Sequence, residues 1–341
     1  MNFVILILSY SKNNDIEHYS HQYVEVLRTP DERFANLPDY PFSPNYLEID
    51  GLRIHYVDEG PKDAKPILLM HGEPSWSYLY RKMIPPLVDA GYRVIAPDIL
   101  GFGKSDKLKS RNDYSYQLQV DLMIELVLKL GLQDIAIFVQ DWGGLIGLRV
   151  VGNLPELFSH IMAGNTGFSH SGGFNGLFGH YFFKRRVKNR GKLTREKFLE
   201  HVSFTNWVAY SQTADEFNIG ELIQGATMTK LSDEEVAAYD APFPDDSYKE
   251  ATRIMPMLVT SQLRKNHKVW NSVYKNWTKP FLTCFSDKDP ITRGGEKDFI
   301  ENIPGIQGIE QMKVENAGHF LQEDKGPELA ARLIKFITTS K

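Results

Sequence analysis

Ile135-Ala136-Ile137-Phe138-Val139-Gln140-Asp141-Trp142-Gly143-Gly144-Leu145-Ile146-Gly147 is the stretch that decides how this chain is read. Its first five residues are apolar and read as a buried strand. Leu145 to Val151 read as the start of a buried helix. Between them lies one charged residue, Asp141, on a turn followed by two glycines. A strand, a tight turn and a helix with a reactive residue at the apex is the layout of a nucleophile elbow, which ordinarily carries Ser. Here the apex is a carboxylate.

Working outward, the same alternation recurs. Leu47-Glu48-Ile49 and Leu52 to Val57, separated by Asp50-Gly51, read as a hairpin. Pro66 to Met70 and Arg93 to Ala96 are apolar strands that end at His71-Gly72 and Pro97-Asp98. Tyr80 to Ala90 reads as a helix between them. Leu118, Leu122 and Leu126 recur at helical spacing, with Gly131 as a stop. Apolar strands alternating with helices predict a mostly parallel sheet covered on both faces, an α/β architecture. From Gly167 to Ser261 the alternation ceases. Aromatic residues, charges and helical stretches dominate there, so residues 167–261 are expected to form a helical cap. It interrupts a core made of residues 24–166 and 262–341. Pro280 to Phe285 and Gln311 to Val314 read as further strands, and Pro327 to Thr338 as a closing helix. Residues 1–23 are expected to be a poorly ordered extension. Phe3 to Leu8 is apolar but lacks a preceding basic residue, and it falls well short of the roughly 20 apolar residues that span a bilayer.

Bulk composition narrows the classes of function. The 341 residues exceed what one core ordinarily serves, which fits a core plus an insertion. A net charge of −4 gives no general attraction to nucleic acid or an anionic membrane, and neither is expected as a partner. The one cysteine, Cys284, allows no intramolecular disulfide and no cysteine-rich metal cage, so no metal is expected and a cytoplasmic location fits. Gly103-Lys104-Ser105 lacks the glycine a phosphate loop needs at position 98, which is Asp98. The basic run from Lys184 to Lys192 reads as a solvated insertion.

Asp141, Asp289 and His319 all sit just after strands, in the nucleophile–acid–histidine order of the α/β-hydrolases. An aspartate nucleophile changes the chemistry. Attack on an sp³ carbon gives an alkyl ester, which water opens at the Asp carbonyl carbon; a serine alkylated at carbon is an ether and a dead end. His319 is the candidate base for that water, and Asp289 the acid that orients it. Asp287 lies two residues away, but Asp289 is preferred because Pro290 leaves it in a loop. The backbone N–H groups of Glu73 and Trp142 are placed to form an oxyanion hole. The indole of Trp142 donates only, which suits a departing halide.

His71-Gly72-Glu73-Pro74-Ser75-Trp76-Ser77-Tyr78, Asp98-Ile99-Leu100-Gly101-Phe102-Gly103 and Val139-Gln140-Asp141-Trp142-Gly143-Gly144 resemble the haloalkane dehalogenases, in the subgroup whose catalytic acid follows the cap. The resemblance implies an α/β-hydrolase fold with Asp141 as nucleophile, His319 as base and Asp289 as acid. It also implies Trp142 as one halide-binding indole, no cofactor, and a small halogenated hydrocarbon and water as substrates. Phe204-Thr205-Asn206-Trp207 is similar to the cap motif of that family, which makes Trp207 the second halide-binding candidate. A monomer or weak homo-oligomer is expected. The chain departs from the pattern at Val139, where the elbow usually has Gly, and in extra cap residues from Phe182 to Lys192. Two other readings compete. An epoxide hydrolase shares the Asp nucleophile but needs phenols facing it, for which Tyr181, Tyr210, Tyr239 and Tyr248 are candidates. A non-catalytic ligand-binding protein is the third reading, and the apparent triad argues against it.

Overall fold

The computed structural model describes the backbone of residues 2–13 and 16–340 and the side chains of residues 24–340. Its strands are β1 (Asn2–Asn13), β2 (Ile16–Leu27), β3 (Asn45–Ile49), β4 (Leu52–Glu59), β5 (Pro66–Met70), β6 (Arg93–Pro97), β7 (Lys107–Leu108), β8 (Ile135–Gln140), β9 (Phe158–Gly164), β10 (Phe281–Ser286) and β11 (Met312–Val314). Its α-helices are α1 (Ile84–Asp89), α2 (Tyr116–Lys129), α3 (Trp142–Asn153), α4 (Gly173–Lys188), α5 (Arg195–Glu200), α6 (Phe204–Thr213), α7 (Ile219–Gly225), α8 (Asp233–Asp240), α9 (Glu250–Leu258), α10 (Leu263–Ser272), α11 (Glu296–Asn302) and α12 (Leu321–Thr339).

Eight strands form one sheet in the order β11-β10-β9-β8-β5-β6-β4-β3. Neighbours from β11 to β6 pair in parallel, and β4 pairs antiparallel with both β6 and β3. Every residue of β5 and of β8 is buried, as expected for strands covered on both faces. Helix α3 packs on β5, β8 and β9 and touches α2 and α10, while α1 and α12 pack together and reach β6 and β9. The chain leaves β5 toward β6 on one side and returns to place β8 on the other. That reversal opens a crevice beyond the carboxyl ends of β5 and β8.

The backbone of β1 and β2 forms an antiparallel hairpin, and β2 joins the core where Val26 and Leu27 pair with Leu108 and Lys107. The strand therefore runs past the expected boundary at Tyr23. The expectation for residues 1–23 otherwise falls on side chains outside the described residues.

Three elements differ from the sequence reading, each for a local reason. Strand β9 has no counterpart there because Ser159 and His160 interrupt its apolar run; His160 instead packs edge-on against Phe336 of α12, with ring centroids 5.3 Å apart. The helix expected from Tyr80 begins only at Ile84, after a 3-10 turn over Ser77–Tyr80, because Pro85 and Pro86 favour the first helical positions. Helix α12 starts at Leu321 rather than Pro327, with non-helical backbone at Lys325, two residues before the proline.

Between β9 and β10 no strand occurs among the described residues, and α4 to α10 fill the interval. Helix α8 is tied to the core by a buried charge cluster. Arg81 donates to Glu323 and, at 2.6 Å, to Glu235, and the Tyr239 hydroxyl donates to Glu323. No helix among the described residues is long and apolar enough to cross a membrane.

The elbow is where packing is tightest. A Cβ at Gly143 would overlap the Met70 carbonyl, one at Gly144 the Thr166 hydroxyl, and one at Gly72 the Asp141 side chain. Val139, where a small residue was expected, is accommodated because Gly147 leaves space beside it one turn into α3. Gly143→Ala should therefore destabilise the protein by about 1–3 kcal/mol, since the obstacle is backbone and cannot move aside. Urea unfolding measures it; a change within ±0.5 kcal/mol, roughly that of a neutral surface substitution, would contradict this packing.

Candidate active site

Asp141 caps α3 at the end of β8 with φ +50°, a conformation that a residue with a Cβ adopts only when its surroundings impose it. Those surroundings are explicit. The Asp141 N–H donates to the Asn165 carbonyl at 3.1 Å, and the Thr166 hydroxyl donates to the Asp141 carbonyl at 2.7 Å. The carboxylate thereby points away from the sheet. Its Oδ1 accepts the Glu73 N–H at 2.9 Å. The Trp142 N–H, in the first turn of α3, has no acceptor within the helix. Of the two expected oxyanion-hole donors, the Glu73 N–H is thus on one carboxylate oxygen.

His319 approaches the other. Its Nε2 lies 3.5 Å from Asp141 Oδ2, and its Nδ1 lies 3.0 Å from Asp289 Oδ2. Asp289 is fully buried and also accepts the Ile291 N–H at 2.8 Å and the Thr292 hydroxyl. Asp287 does not reach His319; it accepts the Ala317 N–H and pairs with Lys288. Burial works against charge on His319, but Asp289 and Asp141 outweigh it and lift the imidazole to about 10. Burial likewise opposes charge on Asp289, yet His319, Thr292 and the Ile291 N–H bring its carboxyl down to about 2. The Gln140 amide donates to the His319 carbonyl at 3.2 Å and faces Nε2 at the same distance, a contact that ring nitrogen can accept only when neutral.

The carboxylate and imidazole open into a cavity of about 250 Å³ roofed by α5, α6, α7 and the segment after it. Its wall is mostly apolar and includes both Trp142 and Trp207. Trp142 is held by an edge-on contact with Tyr116, centroids 5.2 Å apart, and Trp207 is stacked on Phe217 at 5.9 Å. Glu73 also lines the cavity. Burial, then the nearby Asp141, push its carboxyl well above the usual range, with His319 and Trp207 pulling back, and Oε1 has no hydrogen-bond partner. Burial therefore favours the neutral form of the Glu73 carboxyl. Among the described residues no cluster of three or more His, Cys, Asp or Glu could hold a metal ion.

A family model for the alpha/beta hydrolase fold matches residues 65–326. A haloalkane dehalogenase from Psychrobacter cryohalolentis is 47% identical over 324 residues, 92% of this chain and 98% of its own. The chain belongs to the haloalkane dehalogenase family. A haloalkane dehalogenase from Mycolicibacterium paratuberculosis is 41% identical over 323 residues, 92% of this chain and 98% of its own. The tetrameric haloalkane dehalogenase DpaA from Paraglaciecola agarilytica superposes with a TM-score of 0.74 at 32% identity, covering 90% of this chain and 97% of that one. Membership of this hydrolase family identifies the substrates as a halogenated compound and water.

Several residues that shape this dehalogenase site have no signature in the sequence. Asn165 donates to the carbonyls of Gly318 and His319, both at 2.9 Å, and accepts the Ser286 N–H at 2.9 Å, so it braces the loops carrying His319 and Asp289. Asp324 accepts the N–H of Gly318 at 2.8 Å, of Met228 at 3.0 Å and of Thr229 at 2.6 Å. It thus binds the loop of His319 to the segment after α7 that roofs the cavity. By sequence it lies ahead of the closing helix expected from Pro327 and carries no sign of this role.

The charge arrangement sets a pH dependence of stability. His319, raised on folding, contributes fully below its unfolded value near 6.5 and loses that contribution as pH rises toward about 10. Asp289, lowered on folding, contributes above its unfolded value near 3.8 and loses that as pH falls toward about 2. Wild-type unfolding free energy should decline between pH 6.5 and 10, and His319→Gln should flatten that decline. Equal slopes in urea titrations of the two proteins would remove His319 from the linkage.

Proposed function

We propose that the protein cleaves a carbon–halogen bond with Asp141 as nucleophile and His319 as the base that regenerates it. The observation that carries this reading is the cavity wall around Asp141, which presents two indoles, Trp142 and Trp207, and among the described residues no phenol. Two N–H donors that neither accept nor release a proton suit a halide, which leaves as a stable anion. An epoxide oxygen needs a proton, and the cap tyrosines are elsewhere. Tyr181 is exposed, the Tyr210 hydroxyl donates to the Glu216 carbonyl, that of Tyr239 to Glu323, and Tyr248 does not line the cavity.

In the first step Asp141 Oδ2 displaces halide, giving an alkyl ester whose carbonyl oxygen, Oδ1, stays on the Glu73 N–H, with the Trp142 N–H as the second donor when charge develops there. The leaving halide settles between the indoles. Ester formation removes the Asp141 charge, so His319 loses one of the two anions that favour its protonated form. It sheds its proton, keeps Nδ1–H on Asp289, and takes a proton from water at Nε2. The resulting hydroxide equivalent adds to the ester carbonyl. Collapse expels the alkoxide, which takes the proton from His319 Nε2, and the proton of the new acid returns to the imidazole and restores the Asp141 carboxylate; with the proton His319 shed earlier, the net yield is alcohol, halide and one proton. Residues 167–261 serve as the cap that keeps bulk water from this site. A cytoplasmic location and a monomer or weak homo-oligomer complete the reading; the tetramer of the Paraglaciecola relative makes solution mass worth measuring.

Halide release from a short 1-bromoalkane tests it. Asp141→Asn should reduce turnover by at least roughly a thousandfold. His319→Gln should accumulate alkyl-enzyme, seen as one added alkyl group in the intact mass. Trp207→Phe should slow turnover about 10- to 100-fold and weaken halide quenching of tryptophan fluorescence. A folded wild type that releases no halide would overturn the assignment, and an unmodified mass in His319→Gln would remove the covalent step.

A further inference from the structure

Helix α4 is built inside out. Gly176 and Gly179 face α10, close against Arg264 and Leu263, and Phe183 stacks on Phe204 at 5.9 Å, so this side is the packed one. The opposite side carries Phe174, Leu177, Phe178, Tyr181 and Phe182, spaced three or four apart on one stripe. Their relative exposures run from 41% at Phe178 to 65% at Phe174. Half of the large exposed hydrophobic side chains among the described residues lie on this one stripe, which a scattered surface would not produce.

Charge decides what fits this face. Between Glu156 and Glu196 the chain has seven Lys or Arg residues and no acid. Two of the seven are paired, Lys192 with Asp215 and Arg195 with Glu221. Lys184, Arg185, Arg186, Lys188 and Arg190 follow the aromatic stripe directly and make no ion pair among the described residues. The net charge of −4 spoke against a membrane partner, but the distribution of charge is uneven. A second copy docking through the same stripe would bring these unpaired cations near one another. A bilayer with anionic headgroups accepts both the aromatic ridge and the cations.

We propose that the outward face of α4 docks the protein on an anionic lipid surface. The helix lies in the headgroup plane without crossing it. Phe183 and Phe204 connect it to the roof of the cavity, so a docked molecule holds its cavity beside the phase into which apolar molecules partition.

Sedimentation of the full chain with phosphatidylcholine vesicles, with and without phosphatidylglycerol, is the test. The wild type should pellet with the anionic vesicles only, and less so as salt rises. Phe178→Ser with Phe182→Ser, and separately Arg185→Glu with Arg186→Glu, should each weaken binding by about tenfold or more while halide release from a water-soluble substrate is unchanged. The charge pair is wholly at the surface, so it tests the idea even where the aromatic pair perturbs folding. No pelleting of folded wild type, or pelleting indifferent to both pairs, overturns the proposal. An oligomer by light scattering that the serine pair dissociates, without vesicle binding, assigns the face to a second copy instead. Preferential binding of duplex DNA would assign the cations to nucleic acid and overturn it equally.

Discussion

The site rests on one steric constraint, the contact between the ends of β5 and β8. Gly72 abuts the Asp141 side chain and Gly143 abuts the Met70 carbonyl, leaving no room for a Cβ at either position. Only at that separation does the Glu73 N–H reach Asp141 Oδ1 at 2.9 Å. The unusual backbone of Asp141 is the cost of this closeness, and the Asn165 carbonyl and Thr166 hydroxyl hold it in place. Orienting Asp141, the proposed nucleophile, is therefore a property of the sheet and not of a mobile loop.

Electrostatics add a second layer. One imidazole lies between two carboxylates, and a third carboxyl, Glu73, shares the cavity. Three negative charges in so small an apolar space would repel strongly. Burial eases this by favouring the neutral form of Glu73, while the single imidazole sits between Asp141 and Asp289. The same burial would strengthen the indole N–H groups of Trp142 and Trp207 toward an anion, in keeping with the proposed halide site.

Legibility from sequence followed the physics of each element. Strands β5, β8 and β10 are uninterrupted apolar runs and could be read directly, whereas β9 carries Ser159 and His160 near its start and could not. The elbow was readable because two glycines beside a charged residue, wedged between a buried strand and a buried helix, serve a tight turn and little else. Asp289 was preferred to Asp287 for its place before Pro290, but β10 already ends at Ser286, and what separates the two acids is the burial of Asp289 against His319. Trp207 was different: nothing in its spacing separates a cavity indole from a packing one, and only the resemblance singled it out. Asn165, Thr166 and Asp324 were invisible because they act on backbone groups of distant segments, and such pairings leave no pattern in residue type. The stripe on α4 was hidden for the opposite reason. An apolar helix face normally announces a core, and the sequence does not say which face looks outward.

Asp324 has a consequence for how freely this architecture can be modified. Its single carboxylate holds both the loop bearing His319 and the segment from Met228 to Thr229, and His319 itself donates its N–H to the Ala226 carbonyl at 2.8 Å. The roof and the loop bearing His319 are in this sense one mechanical part. A chimera that grafts a foreign roof onto this core, to broaden the range of molecules admitted, breaks at the wrong seam if it cuts between α7 and α8. Modularity here follows hydrogen bonds instead of helix boundaries, and residues 226–229 travel with the core.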